Sequence, residues 1–143
     1  AIELSPSDNP DLENYNIIAG SAANATGQYS TANTYARKAL AINPNSGKAY
    51  IVIGDAIAGS AGSCGSNEFE VASVYWLAVD YYQKARSVDS GVSGAASGKI
   101  NSYSGRFPDK KMMFQYNMMD NAGNVKKEPV KIGCWINQEV MPR

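Results

Sequence analysis

The 143-residue sequence contains no histidine, and this absence narrows the chemistry available to the chain. Without an imidazole there is no histidine-based catalytic triad, no histidine proton shuttle and no histidine-ligated metal site. Charged residues are also scarce, at 18% of the chain, and the 13 basic residues balance the 13 acidic ones. A net charge of zero removes the usual electrostatic basis for binding nucleic acid or an anionic membrane surface.

Long apolar runs are missing as well. No stretch approaches the roughly 20 consecutive apolar residues that a membrane-spanning helix needs, so we expect no direct membrane insertion by this segment. The first residues also lack the basic stretch and following apolar stretch of a signal peptide. The hydrophobic content of 44% is instead typical of a folded protein, and the length suits one domain or a short array of repeats.

The sequence has only two cysteines, Cys64 and Cys134, and their wide spacing matches neither a Cys-x-x-Cys motif nor a metal cluster. Two interpretations stay open, namely two unrelated thiols or one disulfide bond. Glycine and serine neighbours, which allow close backbone approach, slightly favour the disulfide. A disulfide would indicate an oxidising compartment, such as the periplasm, the cell surface or the exterior.

A helix-end pattern occurs three times in the first hundred residues. The pattern is Ala-x-x-apolar-polar followed by proline or serine, and it lies at residues 1–6, 38–44 and 84–90. A proline at this position stops a helix, because its ring cannot continue the hydrogen-bond ladder. Upstream of the second copy, apolar spacing predicts two helices, over residues 12–25 and 29–42, joined by a turn at Gly27.

The unit formed by residues 13–46 resembles the tetratricopeptide repeat family, whose helical hairpins repeat every 34 residues. The resemblance rests on small residues where paired helices cross, on an aromatic residue opening the second helix and on the final proline; these are Gly20, Ala32, Ala39, Tyr29 and Pro44. Asn16 departs from the family pattern, because a bulky residue is usual there. The resemblance implies that the small positions allow close helix packing.

The same resemblance implies a domain organisation for the whole chain. It predicts helical repeats over residues 1–107 and a capping segment over residues 108–143. The repeat region comprises a repeat end (1–6), a repeat (13–46), a second repeat (47–90) with an insertion at about 59–70, and a half-repeat (92–105). The expected fold is all-α, a tetratricopeptide-like solenoid of about five helices with a short C-terminal β-hairpin or extended cap. Because the first match is the end of a repeat, we expect further repeats and any export signal upstream.

The composition and the hydrophobic pattern of the sequence change from Pro108 onward. A methionine-rich stretch (110–119), a turn signal (120–124) and an alternating stretch (130–137) predict a β-hairpin or an extended strap. The methionines are typical of gap-filling core residues, with an adaptable partner surface or soft-metal binding as the alternative. The tail at 133–137 resembles the end of a group of bacterial envelope tetratricopeptide proteins, which implies a periplasmic or cell-envelope location.

Candidate catalytic groups are few. Paired carboxylates such as Glu68 and Glu70 lack a partner base and are typical of solvated helix starts. Cys64 as a nucleophile would need a base, usually histidine, and phosphate-binding glycine motifs are missing. We therefore expect a protein that is not an enzyme and that has no cofactor and no metal site.

Binding is the remaining function, and the family resemblance indicates where it would occur. In that family the first helices of successive hairpins line a concave groove, which implies eight groove residues here: Asn14, Ile17, Ser21, Asn24, Lys48, Ile51, Asp55 and Asn101. The lysine, asparagine and arginine set with which some members clamp a terminal carboxylate is absent. We expect a protein-protein interaction module of a larger envelope scaffold that binds a peptide or loop of an unidentified protein. The alternative is a purely structural cap, with partner binding by upstream repeats.

Overall fold

The computed structural model describes residues 10–143, so the predicted repeat end at residues 1–6 lies outside the described part. About 66% of the described residues are helical, and they form seven α-helices with one small two-stranded antiparallel sheet. The prediction of a mostly helical chain with a small β-element is therefore confirmed. The expected number of about five helices is too low, because two short helices form in segments that were predicted as an insertion and as a strap.

The helices follow one another with short connections. They are α1 (Pro10–Ala25), α2 (Tyr29–Ile42), α3 (Gly47–Gly59), α4 (Ala61–Cys64), α5 (Glu68–Val88), α6 (Ser93–Ser104) and α7 (Lys110–Gln115). The strands are β1 (Val130–Ile132) and β2 (Gln138–Val140). In the core, α1 packs on α2, α2 on α3, α3 on α5 and α5 on α6, and α1 also contacts α3.

Small residues lie where the first three helices touch. A Cβ atom at Gly20 would lie 3.0 Å from the Val52 Cγ1 atom of α3 and 3.3 Å from the Ala32 carbonyl oxygen of α2. Ala32 and Ala39 are completely buried. The predicted close helix crossing is therefore confirmed. The turn between α1 and α2 depends on Gly27. Its φ of 77° is a backbone conformation that residues with a Cβ atom rarely adopt.

The pair formed by α3 and α5 is the centre of the molecule. Trp76 and Tyr82 of α5 are fully buried, and the Tyr82 ring packs directly on Gly54 of α3. Helix α5 begins at a side-chain cap, because the Asn67 side-chain oxygen accepts a hydrogen bond of 2.9 Å from the Glu70 backbone N–H.

The segment predicted as an insertion, at about 59–70, is mostly helical. It contains α4 and the first turn of α5. Ser60 connects α3 to α4, since its hydroxyl donates to the Ala56 carbonyl (2.8 Å) and its own carbonyl accepts from the Cys64 N–H (2.9 Å). These hydrogen bonds of Ser60 let the chain bend between two helical segments. The apolar periodicity of the sequence does not reveal such bonds.

The C-terminal cap differs from the predicted strap in two places. Residues 110–115 form helix α7, because the Asp109 carboxylate accepts a hydrogen bond of 2.7 Å from the Met112 N–H at the helix start. The alternating stretch 130–137 is a strand only as far as Ile132. The chain then turns through Cys134 and Asn137, whose φ values of 53° and 46° are left-handed, and β2 pairs back on β1.

Both strands of the cap contact α5, and four buried apolar side chains of the cap belong to the hydrophobic core, namely those of Met113, Ile132, Ile136 and Val140. Met112, Met118 and Met119 are half-buried and also contact the core, as gap-filling methionines do. A disulfide bond joins Cys64 at the end of α4 to Cys134 in the turn between the strands, with Cα atoms 5.4 Å apart. Among the described helices, none has the length and apolar character required to cross a bilayer.

Candidate binding groove

The structure distributes most of the predicted groove residues between two depressions. Asn14, Ile17 and Lys48 line a smaller one of about 280 Å³ near the first turns of α1 and α3. Asn24 and Asp55 line a larger one of about 530 Å³ near the other ends of these helices. Ser21 and Asn101 are exposed, and Ile51 is half-buried against the core; these three line neither depression.

The larger depression, here called the aromatic groove, lies where α1, α3, α5 and α6 meet. Its aromatic and polar lining consists of Asn24, Tyr29, Asp55, Tyr75, Lys99, Tyr103 and Arg106. Gly59 and Gly62 form part of the wall and carry no side chain that would narrow it. The groove is therefore open, and tyrosine rings make up much of its surface.

A stack of tyrosine rings supports one side of this groove. The Tyr75 and Tyr103 rings are stacked with centroids 5.4 Å apart, and Tyr103 also stacks on Tyr82 at 6.0 Å. The guanidinium of Arg106 lies 5.5 Å from the centroids of both Tyr75 and Tyr103, and it donates a hydrogen bond of 3.2 Å to the Tyr75 hydroxyl. That hydrogen bond raises the pKa of Arg106, so the guanidinium stays charged.

Asp55 is held by two internal partners. It accepts a hydrogen bond of 2.6 Å from the Tyr82 hydroxyl and forms an ion pair of 2.8 Å with the Lys99 ammonium group. Burial raises the pKa of Tyr82, and the negative charge of Asp55 together with this hydrogen bond raises it further. Asp55 therefore lines the aromatic groove, but its carboxylate is already engaged by α5 and α6.

Asn24 connects α1 to α3 at the edge of the groove. Its amide nitrogen donates to the Val52 carbonyl oxygen at 3.0 Å, while its buried side-chain oxygen has no hydrogen-bond partner among the described residues. An unsatisfied buried acceptor is costly, by about 1–3 kcal/mol. A ligand N–H that reached this oxygen would remove that cost.

Sequence reasoning missed Tyr75, Lys99, Tyr103 and Arg106. Lys99 and Tyr103 are four residues apart on α6 and therefore share one helix face, which was a usable signal. The predicted half-repeat did not define which residues of α6 face the groove, so this signal was not used. Tyr75 and Arg106 could not be found in this way, because neither lies on the first helix of a hairpin.

The side chains that line the aromatic groove can contact a ligand and form hydrogen bonds with it. Within residues 10–143, no set of three or more acidic, cysteine or histidine side chains is placed to hold a metal ion. Both cysteines are in the disulfide. The aromatic groove presents ring faces, an amide and a guanidinium, which can stack on a ligand and donate hydrogen bonds to it. Comparisons with protein-family models, curated proteins and solved structures find no match to this chain.

Proposed function

We propose that this chain is a non-enzymatic protein-binding module, and that the aromatic groove holds an extended peptide or loop of a partner. The observation that supports this proposal is an open groove of about 530 Å³ whose lining combines half-buried tyrosine rings with an exposed, charged guanidinium. Tyrosine and arginine are enriched at protein interfaces, because they offer large contact areas together with hydrogen-bond donors. The volume lies within the usual range of ligand sites.

The rigidity of the groove also favours binding. Its walls belong to helices that pack directly on one another. Tyr75 and Tyr103 are supported by the ring stack, whose third member, Tyr82, is hydrogen-bonded to Asp55. A surface that is already ordered loses little conformational entropy when a ligand binds. An extended peptide would therefore meet a preformed site.

We further propose that the chain belongs to the tetratricopeptide repeat family and is part of a larger scaffold in a bacterial envelope. The small-residue contacts between α1, α2 and α3 support the family assignment. The disulfide supports the location, since such bonds persist in oxidising compartments.

Site-specific photocross-linking tests the binding proposal. A benzophenone amino acid is placed at Gly62 in the groove and, as a matched control, at Gly98 on the exposed part of α6. Neither position has any atom within 4 Å of an added Cβ, so both variants should fold. We expect one defined partner segment to cross-link from position 62 and not from position 98. Identical products from the two positions, or none from position 62, would contradict the proposal.

A second proposal, a structural cap, is supported by the exposed face of α1. Tyr15 and Ile18 are 61% and 60% exposed, whereas the residues 34 positions later, Ala49 and Val52, are buried, and Val52 lies against Gly20 of α1. This difference favours an arrangement in which another helical unit covers the exposed face of α1. The present chain would then form the last unit of the stack of repeats. In the parent protein, Tyr15→Ser with Ile18→Ser should then lower stability, while the same pair should leave the isolated chain unchanged.

A further inference from the structure

Charge is distributed unevenly in the aromatic groove. Its charged lining residues are Asp55, Lys99 and Arg106. Asp55 and Lys99 neutralise each other in their ion pair of 2.8 Å. Arg106 forms no ion pair with any residue in the described part of the chain, and it is exposed. The groove therefore carries one positive charge that has no counterpart within residues 10–143.

The surroundings of Arg106 restrict its orientation. Its guanidinium lies 5.5 Å from two tyrosine ring centroids, and only one of its N–H groups is used, in the bond to the Tyr75 hydroxyl. A guanidinium has five N–H donors in a planar fork that matches a carboxylate with two parallel hydrogen bonds. An arginine that is already held by a hydrogen bond and by ring contacts loses less side-chain entropy when it forms them.

We infer that the peptide bound in this groove carries an acidic side chain, and that its carboxylate binds Arg106 beside the stacked rings of Tyr75 and Tyr103. The inference rests on the proposed peptide-binding function and defines the partner's chemistry. A phosphorylated residue is usually held by a cluster of arginines, and here the neighbouring Lys99 is already paired. Capture of a chain terminus usually needs a nest of backbone N–H groups, whereas the cation here is a single side chain.

Three short peptides test this inference by NMR titration. The first is acetyl-Ser-Ala-Leu-Glu-Ala-Ser-amide, the second has Gln in place of Glu, and the third has Gln and a free C-terminal carboxylate. The readouts are the Arg106 side-chain N–H signal and the backbone signals of Tyr75 and Tyr103, followed at millimolar peptide. The proteins are the wild type, Arg106→Gln and Arg106→Lys, with Arg86→Gln as a matched control outside the groove.

We expect the Glu peptide to shift the groove signals and to bind at least about tenfold more tightly than the Gln peptide. Arg106→Gln should abolish this difference, Arg106→Lys should reduce it because the fork is lost, and Arg86→Gln should leave it unchanged. Equal binding of the Glu and Gln peptides, or preference for the free terminus, would overturn the inference. The proposed function itself would survive those results if the cross-links from position 62 persisted. Absence of any groove shift with all three peptides would also overturn the inference.

Discussion

At the residue scale, the hydrogen bond between Tyr82 and Asp55 connects the core to the groove. The Tyr82 ring is fully buried against Gly54, while its hydroxyl donates to a carboxylate that lines the groove and pairs with Lys99. One side chain therefore packs α5 on α3 and also helps to position a charged pair in the aromatic groove. Its neutral form is required for the first role, because an ionised phenol would be buried beside a negative charge.

We expect stability to fall above pH 10 in a way that Tyr82→Phe removes. Burial and Asp55 raise the pKa of Tyr82 above its ordinary value near 10 in the folded state. Above pH 10 the unfolded chain loses this proton and the folded chain keeps it, so wild-type stability decreases by about 1.4 kcal/mol per pH unit from this group. Below pH 10 the contribution is complete and does not depend on pH.

Urea unfolding of the wild type and Tyr82→Phe between neutral pH and pH 11 measures this effect. At neutral pH the variant should be less stable by about 1–2 kcal/mol, because Asp55 loses a hydrogen bond. The difference should shrink above pH 10. A difference that stays constant over the whole range would contradict the assigned pKa shift.

At the element scale, helix spacing is set by glycine and alanine at the contacts. Gly20 lies under Val52, and Gly54 lies under the Tyr82 ring. By contrast, a Cβ atom added at Gly98 on α6 would have no atom within 4 Å. Glycine lowers helix propensity by roughly 1 kcal/mol relative to alanine. Its presence in α3 is therefore explained by the close approach of α5 and not by the helix itself.

Gly54→Ala and Gly98→Ala should have opposite effects on stability. The Cβ added at position 54 would lie 2.6 Å from the Tyr82 Cε1 atom, so the helices must separate, and we expect a loss of about 1–3 kcal/mol. The same change at position 98 meets no atom, and it should add about 0.5–1 kcal/mol. Chemical denaturation of both variants provides the measurement. Equal effects would mean that α3 and α5 are not in close contact at Gly54.

At the scale of the whole molecule, the cap is held to the helices by covalent and polar contacts in addition to packing. The disulfide links α4 to the turn that follows β1, and the Trp135 indole N–H donates to the Ser60 hydroxyl at 2.9 Å. On α5, the Tyr81 hydroxyl donates to the Gln138 side-chain oxygen at 2.8 Å and accepts from Arg37 of α2 at 2.8 Å. Three different parts of the helical body therefore fix the position of the cap.

Removal of the disulfide should destabilise the protein by about 4 kcal/mol, because the bond closes a loop spanning 70 residues and restricts the unfolded chain. The comparison is between the oxidised wild type and Cys64→Ser with Cys134→Ser in urea unfolding. A reducing agent should lower the stability of the wild type and leave that of the double variant unchanged. Two alkylatable thiols in protein prepared from an oxidising compartment would show that the bond does not form there.

Local sequence signals predicted much of the helical body. The bounds of α2, the turn at Gly27 and the buried small residues follow from apolar spacing, from helix stop signals and from backbone freedom, which neighbouring residues determine. Helix α7 was missed because one carboxylate at Asp109 decides its start within a methionine-rich stretch that is equally compatible with a strand.

Only the tertiary structure decided the composition of the groove. Asp55 was identified from the family resemblance, but its engagement by Tyr82 and Lys99 depends on α5 and α6 packing against α3. The meeting of Tyr75 and Arg106, 31 positions apart, likewise depends on where the chain returns after α6. Such contacts join residues distant in sequence, and no local pattern specifies them. The amino-acid order therefore determined the hairpins and the buried small residues, while helix packing determined which side chains line the aromatic groove.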